Sequence, residues 1–291
     1  RDLTVTGVQT CALPILGIIL ISFPVSPLFV PANKLDWIEK AVTSEADGLI
    51  LDLEDSVPIK EKNKTRGELT NHLSSQKITT PFFIRTNPLT SKEGKEDLSL
   101  LEVVGENFIG LMVPKIEDPA ELMGLPETLK VVILVETPSA IENLASLAAE
   151  KRVYGIALGG ADLSAELGSD MSWDSLLYSR SKIVTHASIN GIFSIDSPFM
   201  DINDLDQLDE ESRKAKSLGF NSKFAIHPNQ VETISRNFLP SEDEIEEAKK
   251  ILKAFANSDG GAIAVDGKMV DEPVVKLMKK KLILAGLDPD N

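Results

Sequence analysis

The feature that most constrains this fold is a repeat. Short apolar runs alternate eight times with segments of helical character, and seven of the eight runs close on an ionisable side chain. The clearest run is 131–137, Val-Val-Ile-Leu-Val-Glu-Thr, followed by Pro138. Five apolar residues in a row, mostly β-branched, suit a strand buried on both faces, as in a parallel sheet covered by helices. Thr137 has the chemistry of a helix N-cap and Pro138 that of a first helical residue. Glu136 is then left at the carboxyl end of a buried strand, where α/β proteins gather their chemistry.

The other runs follow the same plan. Residues 27–31 (PLFVP) lead into a helix with Leu35, Ile38 and Val42 on its apolar face. Residues 48–53 (GLILDL) deliver Glu54 and Asp55, 81–86 (PFFIRT) carry Arg85, and 110–115 (GLMVPK) end in Lys115. A helix after 131–137 has Ile141, Leu144, Ala145 and Ala148 on one face. Residues 153–158 (VYGIAL) run into Gly159-Gly160-Ala161-Asp162, 191–195 (GIFSI) deliver Asp196, and 223–226 (KFAI) deliver His227-Pro228. Helices are expected over 173–190 and 201–218, the second stopped by Gly219. Eight strands alternating with helices predict an α/β fold, a (β/α)₈ TIM barrel spanning 26–240. An open doubly wound sheet is disfavoured, since no G-x-G-x-x-G follows the first run and such a sheet would not bring these strand ends together.

Residues 241–291 read as an appendage, a lid or oligomerisation segment. Ser241 and Glu244 form a capping-box pattern, Asp266-Gly267 a type I′ hairpin turn, and Asp271-Glu272-Pro273 the start of a last helix. At the other end, 12–25 (ALPILGIILISFPV) is apolar but too short for a membrane span and broken by Pro14 and Pro24. Residues 1–15 resemble translated sequencing-adapter sequence, and 1–25 are expected to be foreign to the fold. No convincing signal peptide is present, so a cytoplasmic location is expected.

Charge and composition narrow the partners. A net charge of −15 and a pI near 4.7 argue against nucleic acid and anionic membranes. Cys11 is the single cysteine, which excludes an internal disulfide framework and a cysteine zinc site. His72, His186 and His227 have no metal-ligand spacing. Oxygen ligands and Mg²⁺ are the natural expectation for any metal.

Any one charged strand end is ordinary, being the point where the chain meets water. Glu54, Asp55, Arg85, Lys115, Glu136, Asp162, Asp196 and His227 together are less so, because a barrel aims them at one mouth. Glu136 and Asp162, from neighbouring strands, are expected to hold one Mg²⁺, which would polarise a 2-oxo or 2-hydroxy acid. The plainer alternative is that both acids salt-bridge to Lys115 and Arg85. Arg85 has the chemistry to bind a carboxylate or an enolate. His227 suits either an oriented base or a structural turn, and Asp271 an N-cap.

The segments LFVPANK, LDLEDSV, IRTNP, VPKIE, VETPSA, ALGGADL, IDSPFMD, KFAIHPNQ and VDGKMVDEPVV resemble, in order, the citrate lyase β-subunit-like group of the HpcH/HpaI aldolase family. The resemblance runs from about Ser26 to Leu287. It implies Mg²⁺-dependent cleavage of a 3-hydroxyacyl thioester, with metal ligands at Glu136 and Asp162. It further implies that Arg85 meets the substrate carbonyl or enolate, that Glu54 and Asp55 lie near the metal, and that Lys115 contacts substrate. By the same resemblance His227 and Pro228 line a CoA pantetheine channel. Asp271 would cover a neighbouring subunit's barrel in a homo-oligomer, a trimer or hexamer, and take part in proton transfer. Where many relatives have Gly-Ala-Glu-Asp, this chain has Gly-Gly-Ala-Asp, so Ala161 brings no carboxylate. A malyl-CoA thioesterase, a citryl-ACP lyase subunit, an aldolase acting on free oxo acids and a non-catalytic subunit remain alternatives.

Overall fold

The computed structural model describes residues 23–258 and 261–289. Eight parallel strands lie in sequence order: β1 (Leu28–Pro31), β2 (Leu49–Asp52), β3 (Phe82–Arg85), β4 (Phe108–Val113), β5 (Val131–Val135), β6 (Val153–Leu158), β7 (Phe193–Asp196) and β8 (Ser222–Lys223). A parallel bridge between Leu28 and Ala225 closes the ring. It is supported by Phe29 N–H donating to the Ala225 carbonyl at 2.9 Å and Ala225 N–H to that of Pro27 at 3.0 Å. The expected TIM barrel is what forms.

Helices cover the outside: α1 (Leu35–Val42), α2 (Lys62–Ser75), α3 (Lys92–Asp97), α4 (Pro138–Glu142), α5 (Leu144–Ala148), α6 (Gly160–Leu167), α7 (Trp173–Asn190), α8 (Leu205–Leu218) and α9 (Pro228–Phe238). Thr137 caps α4 by accepting from Ala140 N–H, with Pro138 at the first helical position. The segment after β5 breaks into two short helices at Asn143, and Leu147 rather than Ala145 is buried. The helix expected from 201 begins at Leu205, behind an Asp204 cap.

Side chains alternate along each strand, which sorts them into two cores. On β5, Val131, Ile133 and Val135 join the outer core beneath the helices, while Val132 and Leu134 join the inner core. The inner core also holds Ile50, Phe83, Met112, Ala157, Ile195 and Phe224. Phe23 enters it from below and stacks on Phe193 with centroids 4.9 Å apart. Among the described residues packing begins at Phe23, which lies within the 1–25 segment expected to be foreign to the fold. Residues 1–22, including Cys11 and most of the apolar 12–25 stretch, lie outside the described residues.

Beyond the barrel, α10 (Glu242–Ala256), β9 (Ile263–Val265), β10 (Lys268–Val270) and α11 (Glu272–Leu284) enclose a small core of their own around Ala248, Ile251, Val270 and Met278. The Ser241–Glu244 capping box forms in both directions. Asp266 (φ 50°) and Gly267 (φ 77°) take the left-handed turn that links β9 to β10. Among the described residues, no helix is long and apolar enough to cross a membrane.

Candidate active site

Strand parity decides which charges reach the barrel mouth. Leu134 faces inward, so Glu136, two residues on, does too; Ile50 faces inward and brings Asp52 and Glu54 with it; Phe83 likewise brings Arg85. On β7 the inward residue is Ile195, which turns Asp196 outward. On β8 it is Phe224, which turns Lys223 outward. The barrel thus carries two ionic clusters at its strand ends, one in the mouth and one beneath the helices.

The mouth opens into a cavity of about 780 Å³ lined at its polar end by Asp52, Asp55, Arg85, Glu136 and Asp162. Its apolar lining includes Phe29, Trp37, Met200 and Ile226, and His227 and Pro228 also border it. Arg85 is the hub of the polar end. Its guanidinium grips Asp52 with two bonds of 2.6 and 2.7 Å, and reaches Glu54 at 3.1 Å and Asp55 at 3.4 Å. It also lies 5.0 Å from the Phe29 ring centroid. Burial works to raise the Asp52 pKa, but Arg85 outweighs it and holds the carboxyl below its ordinary value.

Glu54 is buried between Arg85 and Lys115, whose Nζ is 3.3 Å away. Neither Glu54 oxygen meets a well-aligned hydrogen-bond donor, and burial pushes its pKa up. Glu136 accepts from the Lys115 backbone N–H at 2.7 Å. Burial, with Glu54 and Asp162 close by, pushes Glu136 up to about 8. A side chain on Gly159 would place its Cβ 2.6 Å from Glu136 Oε2, so the glycine leaves this carboxylate its space. Asp162, in the first turn of α6, is half-exposed and 4.0 Å from the Lys115 ammonium. Five acids (Asp52, Glu54, Asp55, Glu136, Asp162) share two cations that pair with their carboxylates, Arg85 and Lys115, with the Lys62 ammonium behind them on the Glu54 carbonyl.

A hard divalent cation fits this imbalance and this donor chemistry. Among the described residues no three His, Cys, Asp or Glu side chains form a ready cage. Mg²⁺ characteristically takes one or two carboxylates and completes its shell with water and substrate. The plainer alternative, in which Glu136 and Asp162 salt-bridge to Lys115 and Arg85, is met in part: Asp162 lies 4.0 Å from the Lys115 ammonium, whereas Glu136 takes the Lys115 backbone N–H instead.

Of the other expected residues, His227 caps α9, its Nδ1 lying 3.3 Å from the Asn229 N–H and 2.7 Å from Asn229 Oδ1, with Pro228 at the first helical position. Both line the cavity. Asp271 caps α11 by accepting from Val274 N–H and does not line the cavity of its own chain. Asp196 was expected in the mouth and is not there. It is buried against Arg180 (2.8 Å) and Lys223 (2.9 Å), and Lys223 also binds Glu211 at 2.6 Å.

Three participants escaped the sequence reading. Asp52 sits inside an apolar run and reads only as the strand residue it is. Lys62, at the start of α2, buries its ammonium on the carbonyls of Leu53 (2.9 Å) and Glu54 (2.6 Å) and on Asn87 Oδ1 (2.5 Å). Asn87 is itself held by Asp97, and Asp97 by Arg66 at 2.9 Å. This chain of bonds fixes the turn that presents Glu54. Parity would have found Asp52; no local pattern reports Lys62 or Asn87, which meet across 25 residues.

Comparison with known proteins shows the family and the fold. The family model described as HpcH/HpaI aldolase/citrate lyase matches residues 26–228. A Mycobacterium tuberculosis citrate lyase subunit beta-like protein is 33% identical over 266 residues, covering 89% of this chain and 94% of the relative. Human mitochondrial citramalyl-CoA lyase is 29% identical over 286 residues, covering 89% and 84%. The structure of M. tuberculosis CitE in complex with magnesium, acetoacetate and coenzyme A superimposes with a TM-score of 0.78 at 31% identity, covering 91% of this chain and 99% of that one. With the family model matched over residues 26–228 and relatives and structures alike over most of the chain, the chain belongs to the HpcH/HpaI aldolase/citrate lyase family, in its citrate lyase β-subunit-like group.

Proposed function

We propose that this protein is a Mg²⁺-dependent carbon–carbon lyase of the oxo-acid-lyase type. It cleaves a 3-hydroxyacyl-CoA of the citryl, malyl or citramalyl kind to acetyl-CoA and a 2-oxo acid. The observation that carries the reading is the surplus of buried carboxylate around Glu136, beside a cavity whose apolar side can take a long thioester. The relatives named for citramalyl-CoA and for magnesium with coenzyme A support it.

Glu136 and Asp162 are the residues that would hold the metal. When bound, Mg²⁺ supplies Lewis-acid polarisation of the hydroxy-acid oxygens. Glu54, buried and short of hydrogen-bond donors, has the proton affinity to accept the substrate hydroxyl proton. The C–C bond then breaks, the new carbonyl leaves as the 2-oxo acid, and the bonding pair becomes the enolate of the acetyl thioester. Arg85, already fixed by Asp52, presents its guanidinium to that oxyanion without reorganising. Asp55 lies at the rim beside Arg85 and tunes the same charge, and Lys115 lies beside the acids that the hydroxy-acid end approaches. His227 and Pro228 border the apolar side of the cavity.

Asp271 enters from a second copy in a homo-oligomer, a trimer or hexamer, and protonates the enolate carbon. Its place on a unit with a separate core, away from its own chain's cavity, supports that assignment.

The test is a Mg²⁺-dependent assay on citryl-, malyl- and citramalyl-CoA, with products followed by mass spectrometry. Acetyl-CoA with a 2-oxo acid establishes the lyase and names its substrate. Free CoA with an intact hydroxy acid replaces it with a thioesterase. No turnover of any of the three, with turnover of citryl-ACP, moves the substrate to a carrier protein.

A further inference from the structure

Lys115 is one of two non-glycine residues with positive φ among the described residues, at 54°; the other, Asp266, is in the β9–β10 turn. A lysine pays a steric penalty in this region that glycine avoids. Its conformation has two results. The backbone N–H points at Glu136 Oε1, 2.7 Å away. The side chain returns over the same acids, with Nζ 3.3 Å from Glu54 and 4.0 Å from Asp162. One residue therefore meets three of the five acids of this centre, Glu136 through its amide and Glu54 and Asp162 through an ammonium that is itself half-exposed.

We propose that Lys115 is the resident counter-cation of this centre: its amide fixes Glu136, while its ammonium competes with the divalent ion for Glu54 and Asp162 and so sets the affinity for Mg²⁺. The inference rests on the Mg²⁺ reading above and deepens it. A fixed positive charge within 4 Å of the carboxylates repels an incoming cation and must be displaced or screened by it. The αL backbone and the charge are separable, because glycine keeps the first and loses the second, arginine keeps the second, and alanine keeps neither comfortably.

The experiment is calorimetric titration of Mg²⁺ into the full-length wild-type protein and its Lys115→Gly, Lys115→Ala and Lys115→Arg variants at one ionic strength, with thermal melts in EDTA. Removing a unit charge at this range is expected to tighten Mg²⁺ binding in Lys115→Gly by about tenfold. Lys115→Arg is expected to stay within about twofold of wild type. Lys115→Ala is expected to melt below Lys115→Gly, reporting the left-handed backbone. Wild-type or weaker affinity in Lys115→Gly overturns the proposal, and so does Lys115→Arg behaving like glycine. Failure of the wild-type protein to bind Mg²⁺ at all, with Glu136→Gln giving the same blank titration, overturns the metal reading itself, which separates the two failures.

Discussion

The two ionic clusters of this barrel are built from the same residue types, at the same ends of the same sheet, and differ in one property. Beneath α7 and α8, Arg180 and Lys223 face Asp196 and Glu211, two cations to two acids, and the Asp196 oxygens each accept from a cation. Burial alone would raise Asp196; Lys223 and Arg180 prevail and hold its pKa down. In the mouth, burial prevails over the available cations, and Glu54 and Glu136 are pushed up instead. A satisfied buried cluster is committed to its partners, whereas an unsatisfied one retains capacity for an external ligand. A shift of one residue in strand parity separates the scaffold from the site.

The sharpest way to break the comparison is to neutralise one acid in each cluster. Glu136→Gln is expected to lower turnover by about 10²–10³-fold or more, the scale of losing one preorganised electrostatic contact. Its urea midpoint in EDTA is expected to hold or rise, because a strained buried carboxylate has gone. Wild-type turnover at limiting Mg²⁺ would remove Glu136 from the site. Asp196→Asn should do the reverse: it leaves Arg180 and Lys223 short of a partner and is expected to cost about 3–5 kcal/mol of stability. Urea unfolding checks this, and an unchanged midpoint would mean the cluster is no structural anchor.

A smaller effect sharpens the border between the clusters. Lys62 is buried like Lys223 but supports the mouth through the Leu53 and Glu54 carbonyls. Lys62→Met is expected to weaken Mg²⁺ binding by about 10–100-fold, as outer-shell losses do, in a protein that still unfolds cooperatively. Full Mg²⁺ affinity in the variant would make Lys62 a purely structural lysine.

The smallest effect is in pH dependence, and its sign differs between the clusters. In the metal-free protein Glu136 is raised from 4.5 to about 8, so the folded state binds that proton more tightly than the unfolded state. Stability from this group is present below 4.5 and is lost as pH rises toward about 8. Asp196 is depressed below 3.8, so its contribution is present above that value and lost as pH falls through the lower, folded value. Urea midpoints in EDTA should therefore decline across neutrality in wild type and stay flatter in Glu136→Gln. Parallel profiles would show that Glu136 is not the group titrating.

Much of this was legible in the sequence, for reasons that are local. The Thr137-Pro138 cap, the Ser241–Glu244 box and the Asp266-Gly267 turn depend on residues within a few positions of each other, and each formed as read. The strand ends were legible as a set because apolar runs stop where charges begin. What was hidden is the face each charge takes. Runs that are apolar on both faces do not say which face turns inward, so Asp196 reads into the mouth; Asp52 shares the parity of Glu54 but is hidden inside its own strand. Lys62, Asn87 and Asp97 were hidden for another reason: their contacts join separate β/α units, and only the closed barrel brings them together. The eighth strand was read at 223–226, but its ladder spans only Ser222–Lys223, with Ala225 left to a single bridge.

That short eighth strand has a consequence for how the protein can change. The seam between β8 and β1 is the least stitched joint of the ring, and its two sides supply Phe29, Pro31, Ile226, His227 and Pro228 to the lining of the cavity. Glu136 and Asp162 hang from β5 and α6, across the ring, where the β5–β6 ladder is continuous from Val132 to Val135 after one register shift at Val131. Tolerance to substitution and precision of the acids are thus assigned to opposite walls. Substitutions at the seam would therefore reshape the apolar side of the cavity while the wall that carries the acids keeps its place.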